Sequence, residues 1–504
     1  MKTLIKTVTG TFLFCLILFG CSKDKGNYDL KPINELTVDS LNGGQEIEIL
    51  SNETLKLSPA IKQENVSAGT YKYRWFMYGD NYTPAIELSD KKDLNVQITA
   101  PIGGYTLRYV VTDVTTGISA FQEIHMTITS KYASGLVVLD EKVNGGDVSH
   151  IALNGTIYKN LYSEANNGNH ITTPASKLVG FYYDRGEDIQ KPIWIFISSP
   201  GKPTIEIDPE SYKEVGPFSR MLITPPAEPA QLSDIASMVN GDPIFSIVNG
   251  KLQFGTGGDS SPSFQGALLG DYELAPYIIS TTAGGGNIQA RTYLITYDQK
   301  NGRFLSFSGF NVGLFNTYST DMTNPGAFDP NKVKKQCVFA CYSNQYSYYN
   351  WLMKDQTGKM YFYQMYPVAT QKAAAAYSEI TATPEMSQAT IFAGSTKLPH
   401  IYYVADNRVF LYDYKANNAR LIYTFGAGEQ ITDMKFAVSR VPEYQTGYQC
   451  IRTLDKIYIA TYNGTEGKVN EFDVSATGAF TDNAPVKTYS GFGKITSMFY
   501  KEKR

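Results

Sequence analysis

From Ile33 to about Ser130 the chain alternates apolar and polar residues in short runs broken by Gly, Asn, Asp and Pro. That is the pattern of antiparallel strands buried on one face. Leu55 and Leu57 fall in one run, and Leu94, Val96 and Ile98 in another. The strongest run, Tyr105 to Asp113, puts Tyr105, Leu107, Tyr109 and Val111 on a single face. A turn at Thr116-Gly117 then leads into a partner strand, Phe121 to Thr129. Tyr73-Arg74-Trp75-Phe76 lies upstream, where an immunoglobulin-like sandwich holds its core tryptophan. Trp75 is therefore expected in the core, since a small sandwich needs one large side chain between its sheets.

Beyond Lys131 the strand texture persists to the end, with no amphipathic helix long enough for alternating strand and helix units. The recurring unit is an apolar strand, a tight turn of Gly, Asn or Asp, and a second strand. Gly135 to Asp140 opens the series, and Ile193 to Ile197 with Thr204 to Asp208 continues it. Pro243 to Phe254, Thr292 to Phe304 and Trp351 to Tyr363 follow, then Ile401 to Asp413 and Ile457 to Asp473. Some 370 residues hold about seven such units of roughly 50 residues, near the spacing of propeller repeats. The expected fold is all-β: an N-terminal sandwich over residues 33–130 and a β-propeller of about seven blades over 131–504, with a long β-sandwich as the alternative. The tail from Gly491 to Tyr500 is expected to share a blade with the Gly135 strand and so close the ring, removing exposed sheet edges.

The first 20 residues are of another kind. Lys2 and Lys6 precede an apolar run, Thr11 to Phe19, too short to span a bilayer and ending at Leu18-Phe19-Gly20-Cys21. The segment resembles the signal and lipobox of bacterial lipoproteins, which implies cleavage before Cys21 and acylation of that Cys, with residues 21–32 as a lipidated linker. Phe19 is bulkier than the small residue usual at its place. Ser22, Lys23, Asp24 and Lys25 resemble the charged tetrad that sends Bacteroidetes lipoproteins to the cell surface. Asp39-Ser40-Leu41 resembles the acceptor of Bacteroidetes O-glycosylation.

Apolar residues make up 42% of the 504 and charged residues 18%, so the chain can bury a core. Losing Lys2 and Lys6 with the signal leaves 43 of 45 basic residues against 48 acidic ones, a net of −5. This balance does not attract polyanions and excludes nucleic acid as a partner. With Cys15 removed and Cys21 acylated, Cys337, Cys341 and Cys450 remain, too few for a disulfide framework. Buried free thiols are expected, while pairing of Cys450 with one of the others stays open. His125, His150, His170 and His400 are scattered, and no zinc-binding spacing occurs. No metal or cofactor is expected.

Catalytic spacings are missing: there is no nucleophile elbow, phosphate loop or kinase set. Asp184, Glu187, Asp188 and Asp433 read as turn residues or solvated charges and are given no catalytic role. Gly284-Gly285-Gly286-Asn287 reads as a loop, because no helix start follows it to hold a phosphate. Asp298 to Gly302 lacks the alternating acids of a calcium loop and reads as a hairpin turn. One cluster mixes aromatics with amides, Tyr342 to Trp351. Tyr346, Tyr348, Tyr349 and Trp351 are its candidate ligand-binding residues, since ring faces stack on sugars or side chains while Asn and Gln supply hydrogen bonds. With 37 Tyr against 3 Trp, Tyr also serves widely as a half-buried strand residue.

The Tyr-Arg-Trp strand, and Gly104-Tyr105 leading into a strand that ends in Thr112-Asp113, resemble the PKD-like modules of Bacteroidetes lipoproteins. With the repeat domain behind it, nearly the whole mature chain resembles the PKD-like family lipoproteins. The resemblance implies an outer-membrane lipoprotein on the extracellular side, held by its lipid alone. It also implies partners, the subunits of a SusC/SusD-like transporter, and a cargo of oligopeptides or oligosaccharides. The alternatives are a propeller glycosidase, lyase or peptidase, and a structural or adhesive surface protein.

Overall fold

The computed structural model describes residues 35–63, 71–79, 84–182, 193–237, 244–256, 262–279, 293–308, 316–317, 326–343, 348–366, 373–381, 385–442 and 449–502. They form two compact units that divide between Thr129 and Ser130.

The N-terminal unit is a sandwich. Its main sheet runs Ile47–Leu50, Ser119–Thr129, Gly103–Asp113, Tyr71–Gly79, Ile86–Ser89. The short pairs Leu36–Val38 with Ile61–Gln63 and Thr54–Leu57 with Leu94–Gln97 complete it. The two-residue period is obeyed along Gly103–Asp113, where Tyr105, Leu107, Tyr109 and Val111 are all buried. Trp75 is buried as expected, 4.2 Å from the Tyr109 ring, with its indole N–H donating to Lys91 O at 3.0 Å. The opposite face of the sheet carries charge over aromatics: Arg74 lies over Phe76 and Arg108 over Phe121.

The C-terminal unit is a seven-bladed propeller. Six blades are four-stranded antiparallel meanders among the described residues. From inner to outer strand, blade 2 runs Lys177–Tyr182, Ile193–Ser198, Ile205–Ile207, Glu214–Pro217. Blade 3 runs Leu232–Ser237, Ile244–Val248, Lys251–Thr256, Ser263–Phe264, and blade 5 runs Gln336–Ser343, Tyr348–Lys354, Met360–Met365, Ala374–Ile380. Blade 6 is Phe392–Gly394, His400–Ala405, Arg408–Asp413, Asn418–Thr424; blade 7 is Gln430–Pro442, Gln449–Tyr462, Gly467–Asp473, Lys487–Phe492. In blade 4 the strands Tyr293–Asp298, Arg303–Ser308 and Asn316–Thr317 are joined by residues 274–279, held through single bridges at Leu274 and Ile279. Because strand direction alternates, each turn between the second and third strands and each link to the next blade emerge on one face, here the upper face.

Blades stack face to face, so their middle strands are covered on both sides. This is why Ile193–Ser198, Ile244–Val248 and His400–Ala405 are buried at every position and read as unbroken apolar runs, while the outer strand Asn418–Thr424 is largely open. Seven apolar clusters fill the seams between successive blades. The seam joining Ile457-strand residues of blade 7 to Leu136 and Val138 of blade 1 makes the ring continuous and excludes a long sandwich.

Closure is made by the C-terminal strand. Lys494–Lys501 is the innermost strand of blade 1 and pairs antiparallel with Gly135–Lys142, followed outward by Gly145–Ala152 and Ile157–Tyr158. The tail is not one strand from Gly491, however. It breaks at Gly493, leaving Gly491 and Phe492 in the outer strand of blade 7. There the Gly493 N–H donates to Asp140 Oδ2 at 2.6 Å, and a Cβ on Gly493 would sit 2.0 Å from Glu141 O. Only glycine lets the chain cross so close to its neighbour.

Candidate functional site

The inner strands of a propeller converge on its axis, so polar side chains there are the ones a ligand in the channel meets first. Four of these strands begin with a bulge. One extra residue is inserted between Leu232 and Asp234, Cys337 and Phe339, Ile431 and Asp433, and opposite Leu139/Asp140 in the C-terminal strand. A bulge bends the strand and re-aims the side chain that follows it.

In blades 3 and 7 that side chain is an aspartate, and both do the same work. Asp234 accepts from the N–H of Ile235 at 3.0 Å and from that of Ile278, in the next blade, at 2.7 Å. Asp433 accepts from Met434 N–H at 2.8 Å and, across the closing seam, from Met498 N–H at 2.7 Å. Each carboxylate thus ties its blade to the following one. Two lysines complete the group: Lys435 Nζ lies 3.1 Å from Asp433 Oδ1, and Lys177, opening the inner strand of blade 2, donates to Ser233 O at 2.5 Å. Burial pulls the Lys177 pKa down, with Asp234 and Asp433 opposing and Lys435 adding to the fall. Burial likewise raises Asp234, against the charge of Lys177 and the two N–H donors.

The result is a set of fixed charges of both signs at the upper end of the channel, held by backbone bonds. An ammonium has three donors, of which Ser233 O takes one, so Lys177 can still grip an acceptor. Such an arrangement can orient a polar or zwitterionic oligomer without bonding to it covalently. Among the described residues no cluster of His, Cys, Asp or Glu is placed to hold a metal ion.

Asp433 corrects the sequence reading: it is neither a turn residue nor a solvated charge but a buried tie between blades, 8% exposed. Sequence reasoning passes over Lys177 and Asp234. For Asp234 a signal is nonetheless present, since Leu232-Ser233-Asp234-Ile235, Ile431-Thr432-Asp433-Met434 and Ile495-Thr496-Ser497-Met498 repeat one pattern of apolar, hydroxyl, acceptor, apolar. Asp184, Glu187, Asp188 and Gly284 to Asn287 lie outside the described residues.

The aromatic cluster is also corrected. Tyr349 and Trp351 are wholly buried, because Tyr348–Lys354 is the second strand of blade 5 and packs against the neighbouring blade. Trp351 lies edge-on to Phe304 of blade 4, ring centres 5.3 Å apart, and Asn350 is bonded by Gln364 at 2.9 Å. These rings fill a seam and offer no stacking face. Tyr348 is half-buried against Tyr366, and Tyr346 and Cys21 lie outside the described residues. Cys337 and Cys341 are free thiols, and burial raises the pKa of both, Cys341 to about 12.

A PKD-like family model matches residues 21–174, which covers the sandwich and runs on into blade 1. Among solved structures, the chain is similar to a quinoprotein alcohol dehydrogenase-like protein from Bacteroides thetaiotaomicron, at 12% identity and TM-score 0.43 over 92% of this chain and 99% of that one. It is similar to the periplasmic gluconolactonase of Pseudomonas aeruginosa at 10% identity and TM-score 0.45, over 74% and 99%. The human KIAA0319 PKD domain matches at 19% identity and TM-score 0.17, over 21% of this chain and 90% of that domain. No curated protein matches. At such identities the likeness is one of chain path, and the blade count rests on the strand pairing itself.

Proposed function

We propose that this protein is a lipid-anchored accessory protein of the outer membrane, displayed on the extracellular side, which binds oligopeptide or oligosaccharide cargo for a SusC/SusD-like transporter and does not transform it. The observation that carries this reading is at residue 21: the matched PKD-like segment begins at the Cys that the signal pattern marks for acylation. Acyl chains at about 0.8 kcal/mol per buried CH2 would hold the two units at the membrane without a spanning helix. A closed ring with fixed charges at one end of its channel supports the binding role, since a rigid scaffold lowers the entropy lost on capture.

Capture of the tagged full-length chain from detergent-solubilised outer membranes, read by mass spectrometry, is expected to recover a SusC-like barrel and a SusD-like lipoprotein. Recovery of neither overturns the transporter role. Cys21→Ser is expected to move the chain into the soluble fraction, and an unchanged partition overturns the anchor.

A further inference from the structure

Three segments of the upper face meet between blades 6 and 7: the link into blade 6 around Ile391, the Ala405–Arg408 turn of blade 6, and the link into blade 7 that ends at Ile431. They enclose a cavity of about 490 Å³, within the roughly 300–1,000 Å³ of small-ligand sites. Its wall is aliphatic, formed by Ile391, Val404 and Ile431. Its polar groups include two carboxylates, Asp406, which lies 3.3 Å from Arg408 Nη2, and Glu429, with the amide of Gln430. Glu429 Oε1 accepts from Lys468 Nζ at 3.1 Å, while its Oε2 is buried with no hydrogen-bond partner. A buried carboxylate oxygen left without a donor costs about 1–3 kcal/mol or more, so the site is built to receive an N–H or O–H.

The lining decides which. It contains no aromatic ring, so a sugar finds no stacking face. The two cations beside it are already engaged, Lys468 by Glu429 and Arg408 by Asp406 and Glu385, so an anion finds no free counter-charge. An apolar wall beside a carboxylate with one oxygen still unpaired suits a cationic head on an aliphatic stem. We propose that this cleft binds the basic side chain, lysine or arginine, of a peptide. The inference rests on the cargo-binding reading above and selects peptide over glycan within it.

The test is titration calorimetry on the full-length Cys21→Ser chain with four probes: acetyl-Gly-Lys-Gly-amide, its arginine and norleucine counterparts, and maltotetraose. Saturable binding of the lysine or arginine peptide is expected, at least about tenfold weaker for norleucine, with no saturation by maltotetraose. Glu429→Gln should weaken the basic peptide about tenfold. Asp406→Asn should weaken it about threefold, and Asn is tolerated at that turn, where φ is +54°. Equal binding of norleucine, no effect of either substitution, or saturation by the glycan alone would overturn the proposal. If a transporter is captured but no peptide binds, the cleft assignment fails and the accessory reading stands. If the peptide binds but no transporter is captured, the cleft assignment stands and the transporter role fails.

Discussion

Lys501 is the residue on which ring closure can be tested most directly. It ends the inner strand of blade 1, its side chain is fully buried, and its ammonium uses all three donors. They reach Tyr132 O at 2.7 Å, Pro209 O at 2.6 Å and Glu210 Oε1 at 2.8 Å. Two of these acceptors belong to the turn beyond the third strand of blade 2 and one to the start of the propeller, so a single cation fastens the chain's end to both neighbours. Burial lowers its pKa and Glu210 opposes the fall. Lys501→Met keeps the stem but leaves two carbonyls and a carboxylate without their donor. Part of that loss is offset because no charge need then be buried, and the net cost is about 3 kcal/mol. At about 2.1 cal/mol/K of unfolding entropy per residue, some 370 residues lose roughly 0.8 kcal/mol for each degree, so Tm should fall by about 4 °C. Calorimetric melting of Lys501→Met, Glu210→Gln and the double variant checks this, the double losing less than the two singles together. A fall under about 1 °C, or strict additivity, would refute the clasp and leave backbone pairing alone to close the ring.

Other outcomes follow from buried groups. His150 donates from Nε2 to Ser134 O and accepts at Nδ1 from the Tyr212 hydroxyl, and burial lowers its pKa from 6.5 to about 4. The unfolded chain therefore binds the proton first, so stability is full above about pH 6.5 and is lost as pH falls toward 4, by about 3 kcal/mol. Urea titrations at pH 7 and pH 4 should show this drop for the native chain and lose it in His150→Asn; an undiminished drop refutes the assignment. Trp351→Ala should cost about 3–5 kcal/mol and Tyr348→Ala under about 1, measured by denaturant midpoints, because only the first empties a seam. Similar losses at both sites would contradict the strand register. Asp433→Leu strips two buried N–H groups of their acceptor and should cost about 2–4 kcal/mol, whereas a neutral result would show the bulge to be self-supporting.

The periodicity of the chain was enough for its class and its repeat. Tyr105 to Val111 alternate because one face of a sandwich meets solvent, and the unbroken runs at Ile193 and Ile401 arise because blades cover both faces of a middle strand. Even ring closure was legible, as an apolar tail in want of a partner. Which polar residues carry chemistry was not, because strand pattern records burial and not direction. Tyr349 and Trp351 look alike to a pattern whether they face a ligand or a neighbouring blade, and only blade stacking sent them inward. Lys177, Asp234, Asp433 and Lys435 come from three blades, up to 258 residues apart by number, and only the circular path of the chain brings them to one end of a channel. The cleft at Glu429 has the same origin: three turns, each ordinary in sequence, become a site because the propeller brings three successive links out on a single face.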